Sequence, residues 1–165
     1  QGHPSGGPSR CCVRKSPSSV RFLFDANLPP DLAHAIRELC QGEQHVLEVC
    51  HLTDKFKGNT PDLTWIPSLN SNWYIVSIDK FNKSRGQERE ALRRAGHTVY
   101  VLDPQWSSQP FWQKSARLVL WWPQVIEHAK LSQGGVHRIP WRHTSSKKFL
   151  VFERRTAFNR LQASL

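Results

Sequence analysis

The sequence predicts an α/β fold built on a central, mostly parallel sheet. Apolar segments of strand length alternate with segments of helical periodicity in the order β-α-β-α-β-α-β-α. The central strand candidates, of which WYIVSID (73–79) is the clearest, are apolar without alternation, which is typical of strands buried on both faces. A chain of 165 residues suits one domain with a real core. We therefore expect helices to cover both faces of the sheet.

The elements follow from local signals along the chain. The predicted strands are residues 20–24, 45–52, 73–79 and 97–103, and the predicted helices are residues 30–40, 60–69, 86–96 and 109–130. Thr60 is the expected N-cap of the second helix, with Pro61 and Asp62 in its first turn. Pro67 should end or kink that helix early, and Pro123 should interrupt the last helix.

The basic charge of the chain is concentrated at its two ends. The formal net charge is +10, yet residues 21–133 carry 13 basic and 12 acidic side chains. The expected division of the chain is a disordered tail over residues 1–19, a folded domain over 20–133 and a basic extension, with a hairpin and a tail, over 134–165. A basic tail raises affinity for any polyanion without giving sequence specificity, although it can also serve solubility alone.

Several functional classes are disfavoured by what the sequence lacks. No run approaches the roughly 18 apolar residues of a membrane span, and no signal-peptide pattern opens the chain. The four cysteines lack C-x-x-C spacing, which favours free thiols in a reducing compartment over disulfides or zinc. Walker, G-x-G-x-x-G and G-x-S-x-G motifs are absent. We expect a cytoplasmic protein without a membrane segment.

Carboxylates recur where the predicted strands end. Asp25 follows the first strand, Asp79 the third and Asp103 the fourth. Asp62 opens the helix after the second strand, so all four should meet at one edge of the sheet. Each could simply cap a turn or a helix. Together they would repel one another and need a cation, and hard oxygen ligands suit Mg²⁺ or Mn²⁺. Such a site can support phosphodiester hydrolysis.

Five stretches of the sequence are FLFDANLPPDLAHAIRELC, HVLEVCHL, TPDLTWI, WYIVSIDK and EREALRRAGHTVYVLD. Together they resemble the PIN-like nuclease superfamily over roughly residues 20–130. The nearest resemblance is to the branch of VapC-type toxins, with a more distant likeness to Mut7-C-type domains. The family pattern of D-x-N after the first strand matches Asp25 and Asn27, and its two later acids match Asp62 and Asp79. The resemblance implies a PIN-like three-layer α/β/α sandwich and a metal-dependent endoribonuclease.

The leading hypothesis, built on this resemblance, assigns partners and residue roles. Asp25, Asp62 and Asp79 would be the catalytic ligands of Mg²⁺ or Mn²⁺, with Asp103 as a candidate further ligand. Asn27 would orient Asp25 or contact the substrate. The residues expected to hold the RNA backbone are Asn27, Lys80, Arg138, Arg142, Lys147, Lys148, Arg154 and Arg155. The protein would be the toxin of a toxin–antitoxin pair, with RNA as substrate, an antitoxin protein as partner and a homodimer as a candidate assembly.

The sequence departs from the family pattern after Asp79. Many PIN domains carry another acid a few residues on, whereas DKFNK offers Lys80 and no acid. A fourth ligand could come from Asp103, Glu88 or Glu90, or be absent. This departure leaves open an alternative function, a catalytically inactive PIN-like module that binds RNA or protein.

The aromatic residues bear on that alternative. Trp106 and Trp141 lie in turn-like segments, which makes them candidates for stacking on bases or docking a partner. The run of Phe111, Trp112, Trp121 and Trp122 is assigned to the core by its spacing. A third hypothesis, an α/β phosphatase with Asp25 as nucleophile, lacks a second Asp where Asn27 stands.

Overall fold

The structure, a computed structural model of the chain, describes residues 19–70, 72–81, 86–144 and 150–151. Its elements are β1 (Val20–Phe24), α1 (Pro30–Leu39), β2 (Val46–His51), α2 (Leu52–Lys55), α3 (Asp62–Ser68), β3 (Trp73–Ser77), α4 (Gln87–Arg94), β4 (Thr98–Leu102), α5 (Pro104–Ser107), α6 (Phe111–Leu131), β5 (Gly135–Ile139) and β6 (Leu150–Val151). The four predicted strands and the four predicted helices are all present within the described residues.

The strands form one sheet in the order β2-β1-β3-β4-β5-β6. The pairs from β2 to β5 are parallel, and β6 is antiparallel on the edge. The predicted mostly parallel sheet is therefore confirmed. The chain leaves β1 toward β2 on one side and returns to β3 on the other, so the strand order reverses between β1 and β3. In parallel sheets the ligand crevice lies at the carboxyl ends of such strands.

Two cores lie on opposite faces of the sheet, because alternate side chains of a strand point to opposite sides. Phe22 and Phe24 of β1 pack with α1 and α6 on one face. Leu23, between them, packs with Trp65 of α3 and Leu92 of α4 on the other face. All five residues of β3 are buried, as expected for a strand covered on both sides. The three-layer α/β/α arrangement is confirmed.

Both interior prolines are accommodated within helices. The expected interruption at Pro123 is wrong, since α6 runs without a break from Phe111 to Leu131. Side chains on both sides of this proline, including Trp122 and Val125, are buried in the same core, and this packing holds the helix together. Pro67 lies inside α3, which ends at the next residue.

The start of α3 also differs from the prediction. Pro61, rather than Thr60, is the N-cap of this helix, and it has an extended backbone. Asp62 is the first helical residue, one position earlier in the helix than expected. Its carboxylate therefore stands at the end of the helix that faces the carboxyl edge of the sheet.

The segment that the sequence assigns to the basic extension contains β5, which pairs in parallel with β4 along its whole length. Within the segment where a hairpin is expected, His137 and Arg138 of β5 pair antiparallel with Val151 and Leu150 of β6. The tails over residues 1–18 and 152–165 lie outside the described residues. None of the helices in the described ranges combines the length and the apolar character needed to cross a bilayer.

Candidate active site

An acidic cavity of about 250 Å³ opens at the carboxyl edge of the sheet, beside the reversal between β1 and β3. The residues that line it are Asp25, Ala26, Asn27, Leu52, Gly58, Asn59, Thr60, Asp62 and Asp79. Three of the sequence-predicted acids are therefore brought together here, although they are far apart in the chain. Asp25 comes from the end of β1, Asp62 from the start of α3, and Asp79 from the segment after β3.

Asp25 is the buried member of this acidic set, with 6% of its surface exposed. Its Oδ1 accepts a hydrogen bond from the backbone N–H of Ala26 at 2.7 Å. Its Oδ2 accepts from Asn27 Nδ2 at 2.8 Å and from Ser77 Oγ at 2.7 Å. These donors are neutral, so they hold the carboxylate in place without cancelling its charge.

The electrostatic setting of Asp25 is unfavourable for its charge. Burial raises the pKa of the Asp25 carboxyl above its ordinary value, and the nearby charges of Asp62 and Asp79 raise it further, while the hydrogen bonds from Ser77 and Ala26 act in the opposite direction. The described residues provide no ion pair to Asp25. A cation placed in this cavity would therefore lower the free energy of the charged carboxylate.

Ser77 is a site residue that sequence reasoning missed. It ends β3 and is fully buried. Besides donating to Asp25, its hydroxyl accepts hydrogen bonds from Asn27 Nδ2 at 3.1 Å and from the Asp79 backbone N–H at 2.9 Å. The signal that could have found it is a hydroxyl residue ending an otherwise apolar strand, two positions before an acid. This hydroxyl connects the ends of the two central strands.

Asn27 completes the link between the two strands. Its side-chain Oδ1 accepts a hydrogen bond from the backbone N–H of Ile78 at 3.2 Å, while its Nδ2 contacts Asp25 and Ser77. Because one amide group spans both strand ends, the orientation of the Asp25 carboxylate is set by β3 as well as by β1.

Asp62 and Asp79 are half-buried, and each accepts a hydrogen bond from a donor within its own segment. Asp62 Oδ1 accepts from the indole N–H of Trp65 at 2.9 Å, and Trp65 is fully buried. Asp79 Oδ1 accepts from the backbone N–H of Phe81 at 3.0 Å. Phe81 is buried and has a φ of +50°, a conformation that a bulky residue rarely adopts. The turn after β3 thus accepts backbone strain where it positions Asp79.

The donor chemistry of the cavity fits a hydrated divalent ion. Among the described residues, no group of three or more His, Cys, Asp or Glu side chains is gathered closely enough to enclose a metal by itself. Mg²⁺ commonly keeps several waters and binds through only one or two carboxylates, so three acids around a wider cavity suit it. Asp25, Asp62 and Asp79 are the residues that would hold the ion, directly or through water.

Other sequence-predicted residues lie elsewhere. Asp103 does not line the cavity, and its carboxylate accepts a hydrogen bond and ion pair from Arg138. The cavity is not lined by Glu88, which is buried, or by Glu90, which pairs with two arginines of its own helix. Lys80 is half-buried outside the lining, and Arg142 is exposed. Lys147, Lys148, Arg154 and Arg155 lie outside the described residues.

The aromatic assignments are partly corrected. Trp106 is fully buried and its indole N–H donates to the carbonyl of Ile139 at 3.1 Å, so it is not available for stacking. Trp141 is half-buried and packs edge-on against Trp106. Trp121 and Trp122 are buried as expected, but Phe111 and Trp112 are exposed, because they begin α6 on its solvent side.

The fold and the cavity define a parallel α/β domain with an acidic site at its topological switch point. The family model of the PIN-like domain matches residues 20–104, about half of the chain, and the match spans all three cavity aspartates. The chain therefore belongs to the PIN-like domain family. PIN-like domains are commonly nucleases and typically use divalent metals. Searches of curated proteins and of solved structures gave no match.

Proposed function

We propose that this protein is a Mg²⁺- or Mn²⁺-dependent endoribonuclease that acts at the acidic cavity. The observation that carries the proposal is the convergence of three aspartates on one cavity, where the buried Asp25 has a raised pKa and no cationic partner among the described residues. Repulsion among three carboxylates does not stabilise a fold, but the same carboxylates together can bind a cation. In the structural role, such an acid would be paired, as Asp103 is with Arg138.

The residues of the cavity have separable roles in the proposed reaction. A divalent ion in such a site supplies Lewis acidity toward a phosphoryl group and lowers the pKa of water. Asp25 provides a carboxylate whose orientation is fixed by Ser77 and Asn27. Asp62 and Asp79 provide carboxylate oxygens that are more accessible to solvent. Water adds across the P–O3′ bond, so that its oxygen joins phosphorus and its proton goes to the departing oxygen. The products are a 5′-phosphate and a 3′-hydroxyl.

RNA as the substrate and the toxin role are each supported by a separate observation. The basic ends of the chain favour a polyanionic substrate. The resemblance to VapC-type toxins supports a place in a toxin–antitoxin pair, with an antitoxin protein as partner. Both the RNA substrate and the toxin role are parts of this proposal. The toxin role is tested by co-expression with a neighbouring small open reading frame, which should relieve growth arrest.

The primary test is cleavage of bulk tRNA by the purified chain in Mn²⁺ or Mg²⁺, with EDTA as the metal-free arm. Asp79→Asn should lower the cleavage rate at least about a hundredfold, since it removes an anionic oxygen from the site. The matched control is Glu43→Gln, because Glu43 is an exposed acid in the turn before β2, at the opposite edge of the sheet. Cleavage that survives in Asp79→Asn, or in EDTA, would refute the proposed site.

A second candidate function, a catalytically inactive binding module, is favoured by one feature of α6. Its solvent side carries an apolar stripe at helical spacing, in which Trp112 is 81% exposed. The other exposed members of the stripe are Ala116, Val119, Leu120 and Pro123. Thermal unfolding in a Mn²⁺ titration separates the two candidates. The nuclease should gain stability as Mn²⁺ fills the acidic cavity, whereas a binding module without a metal site should show none.

A further inference from the structure

A second cleft, of about 400 Å³, adjoins the acidic cavity on its β4 side. Its lining residues are Asn27, Ile78, Asp79, Ser107 and Lys114. Asn27 and Asp79 line both spaces, so the cleft and the cavity share a wall. A polymeric ligand that crosses the acidic cavity and continues toward β4 must therefore enter this cleft.

The cleft differs from the acidic cavity because a cationic side chain, Lys114, lines it together with Asp79. Lys114 is the one cationic residue among the described residues that line either space. It is half-buried at the start of α6, where its backbone N–H is bonded to the Pro110 carbonyl at 3.0 Å. Its ammonium group forms no ion pair with any carboxylate in the described ranges. A lysine that lines a cleft and forms no ion pair there can contact an anionic ligand.

We propose that this cleft binds a backbone phosphate of single-stranded RNA, next to the phosphodiester in the acidic cavity, with Lys114 as the phosphate contact. The inference rests on the proposed ribonuclease function and adds a path for the substrate. The RNA crosses the carboxyl edge of the sheet from the loop between α2 and α3, which contributes Gly58 to Thr60, over β1 and β3 to the end of α5.

The acidic cavity and the neighbouring cleft interact differently with a phosphate group. The acidic cavity repels phosphate unless a cation is present, so it cannot hold the substrate alone. Lys114 supplies attraction that does not depend on the metal. Lys114 lines the cleft and not the acidic cavity, so it should strengthen binding of the substrate and of the transition state equally. Its loss should therefore raise KM and leave kcat little changed.

The experiment measures binding without cleavage. Fluorescence anisotropy with a short labelled single-stranded RNA of mixed sequence is read in Mg²⁺, in an Asp62→Asn background that does not touch the cleft. Adding Lys114→Gln should weaken binding about two- to fivefold at low salt. It should also reduce the slope of log affinity against log salt by about 0.7, the value for one phosphate contact on a single strand. Lys114→Arg, which keeps the charge, should restore most of the slope.

Lys130→Gln is the matched control, because Lys130 lies on the same helix about 24 Å further along its axis. It should leave the affinity and the slope unchanged. Equal effects of Lys114→Gln and Lys130→Gln would overturn the inference, and so would a parent protein that binds no RNA at low salt. If Lys114→Gln weakens binding but no RNA is ever cut, the cleft stands and the ribonuclease proposal falls. If RNA is cut and Lys114→Gln changes nothing, the reverse holds.

Discussion

Asp25 and Asp103 both follow a buried strand at the carboxyl edge of the same sheet, and both are 6% exposed. Asp103 is paired with Arg138 of β5. Asp25 receives only neutral donors and shares its cavity with two other acids, which helps to raise its pKa. The two acids therefore share burial and position at a strand end, and they differ in whether a counter-charge lies beside them.

The largest effect should come from exchanging each acid for its amide. Asp25→Asn should lower cleavage at least about a hundredfold. Its free energy of unfolding should stay within about 1 kcal/mol of wild type, because relief of a buried charge offsets a weakened hydrogen bond. Asp103→Asn should behave in the opposite way, with near-normal cleavage at low temperature and a loss of stability of roughly 1–3 kcal/mol. Nuclease assays and urea unfolding on the same preparations check both, and loss of cleavage in a folded Asp103→Asn protein would break the comparison.

The next effect concerns the arginine partner. Arg138→Gln should lower the free energy of unfolding by about 2 kcal/mol, because it leaves the buried Asp103 carboxylate without its counter-charge while the arginine itself is partly exposed. Arg142→Gln removes the same charge from an exposed position three residues beyond the end of β5 and should change stability by less than about 0.5 kcal/mol. Urea unfolding at neutral pH distinguishes them, and equal losses in the two variants would contradict a structural role for the pair.

A smaller effect should follow from the hydroxyl that links β1 to β3. Ser77→Ala removes the donor to Asp25 Oδ2 and the acceptor for the Asp79 N–H, which should cost about 1 kcal/mol of stability. Cleavage should fall about tenfold through kcat, since Ser77 positions Asp25 and does not itself touch the substrate. Ser115→Ala is the control, because that hydroxyl bonds only to its own helix at Phe111. A Ser77→Ala protein with unchanged kcat would show that Asp25 needs no such support.

The smallest effect is the pH dependence of stability. The folded-state pKa of Asp25 is raised above the ordinary value of 3.8, so the folded state binds the proton more tightly than the unfolded state does. Relative to Asp25→Asn, wild type in EDTA should therefore lose stability as pH rises from about 3.8 through the raised pKa, and then remain level. His128, whose burial and whose neighbour His137 lower its pKa to about 4, acts in the opposite direction but equally in both proteins. Urea unfolding of both proteins across this range gives the difference, and parallel curves would contradict the raised pKa.

The alternation of strands and helices was readable from the sequence because each element carries its own pattern. The apolar runs of β1, β3 and β4 and the helical periodicity of α1 do not depend on distant residues. The continuity of α6 through Pro123 was not readable, because it depends on core contacts made by residues on both sides of the proline. The short helices α2 and α5, at four residues each, are too brief for periodicity to show.

The candidate site divides in the same way. The three cavity aspartates could be named, together with Asp103, from strand ends and topology, since parallel strands bring their carboxyl ends to one edge, and the family resemblance picks out the three. The role of Ser77 could not, although a hydroxyl at the end of an apolar strand is a signal, because its hydrogen bonds to Asp25 and Asp79 form only once β1 and β3 are neighbours. The burial of Trp106 could not either, because its indole partner, the Ile139 carbonyl, is 33 residues away. The sequence also gave no sign of a binding role for Lys114, because a lysine in the first turn of a helix is common. Its place in a cleft is evident only from the folded structure.

By itself, the sequence determined the layered α/β fold and the set of acids at the strand ends, because strand and helix signals are local and the topology of parallel strands is regular. Only the tertiary structure decided which of these acids lies beside an arginine and which lies among other acids. Asp103 meets Arg138 because β5 pairs with β4, and Asp25 meets Asp62 and Asp79 because β1 lies between β2 and β3. The interaction energy of a charge depends on what is within a few ångströms of it, and those neighbours come from distant parts of the chain.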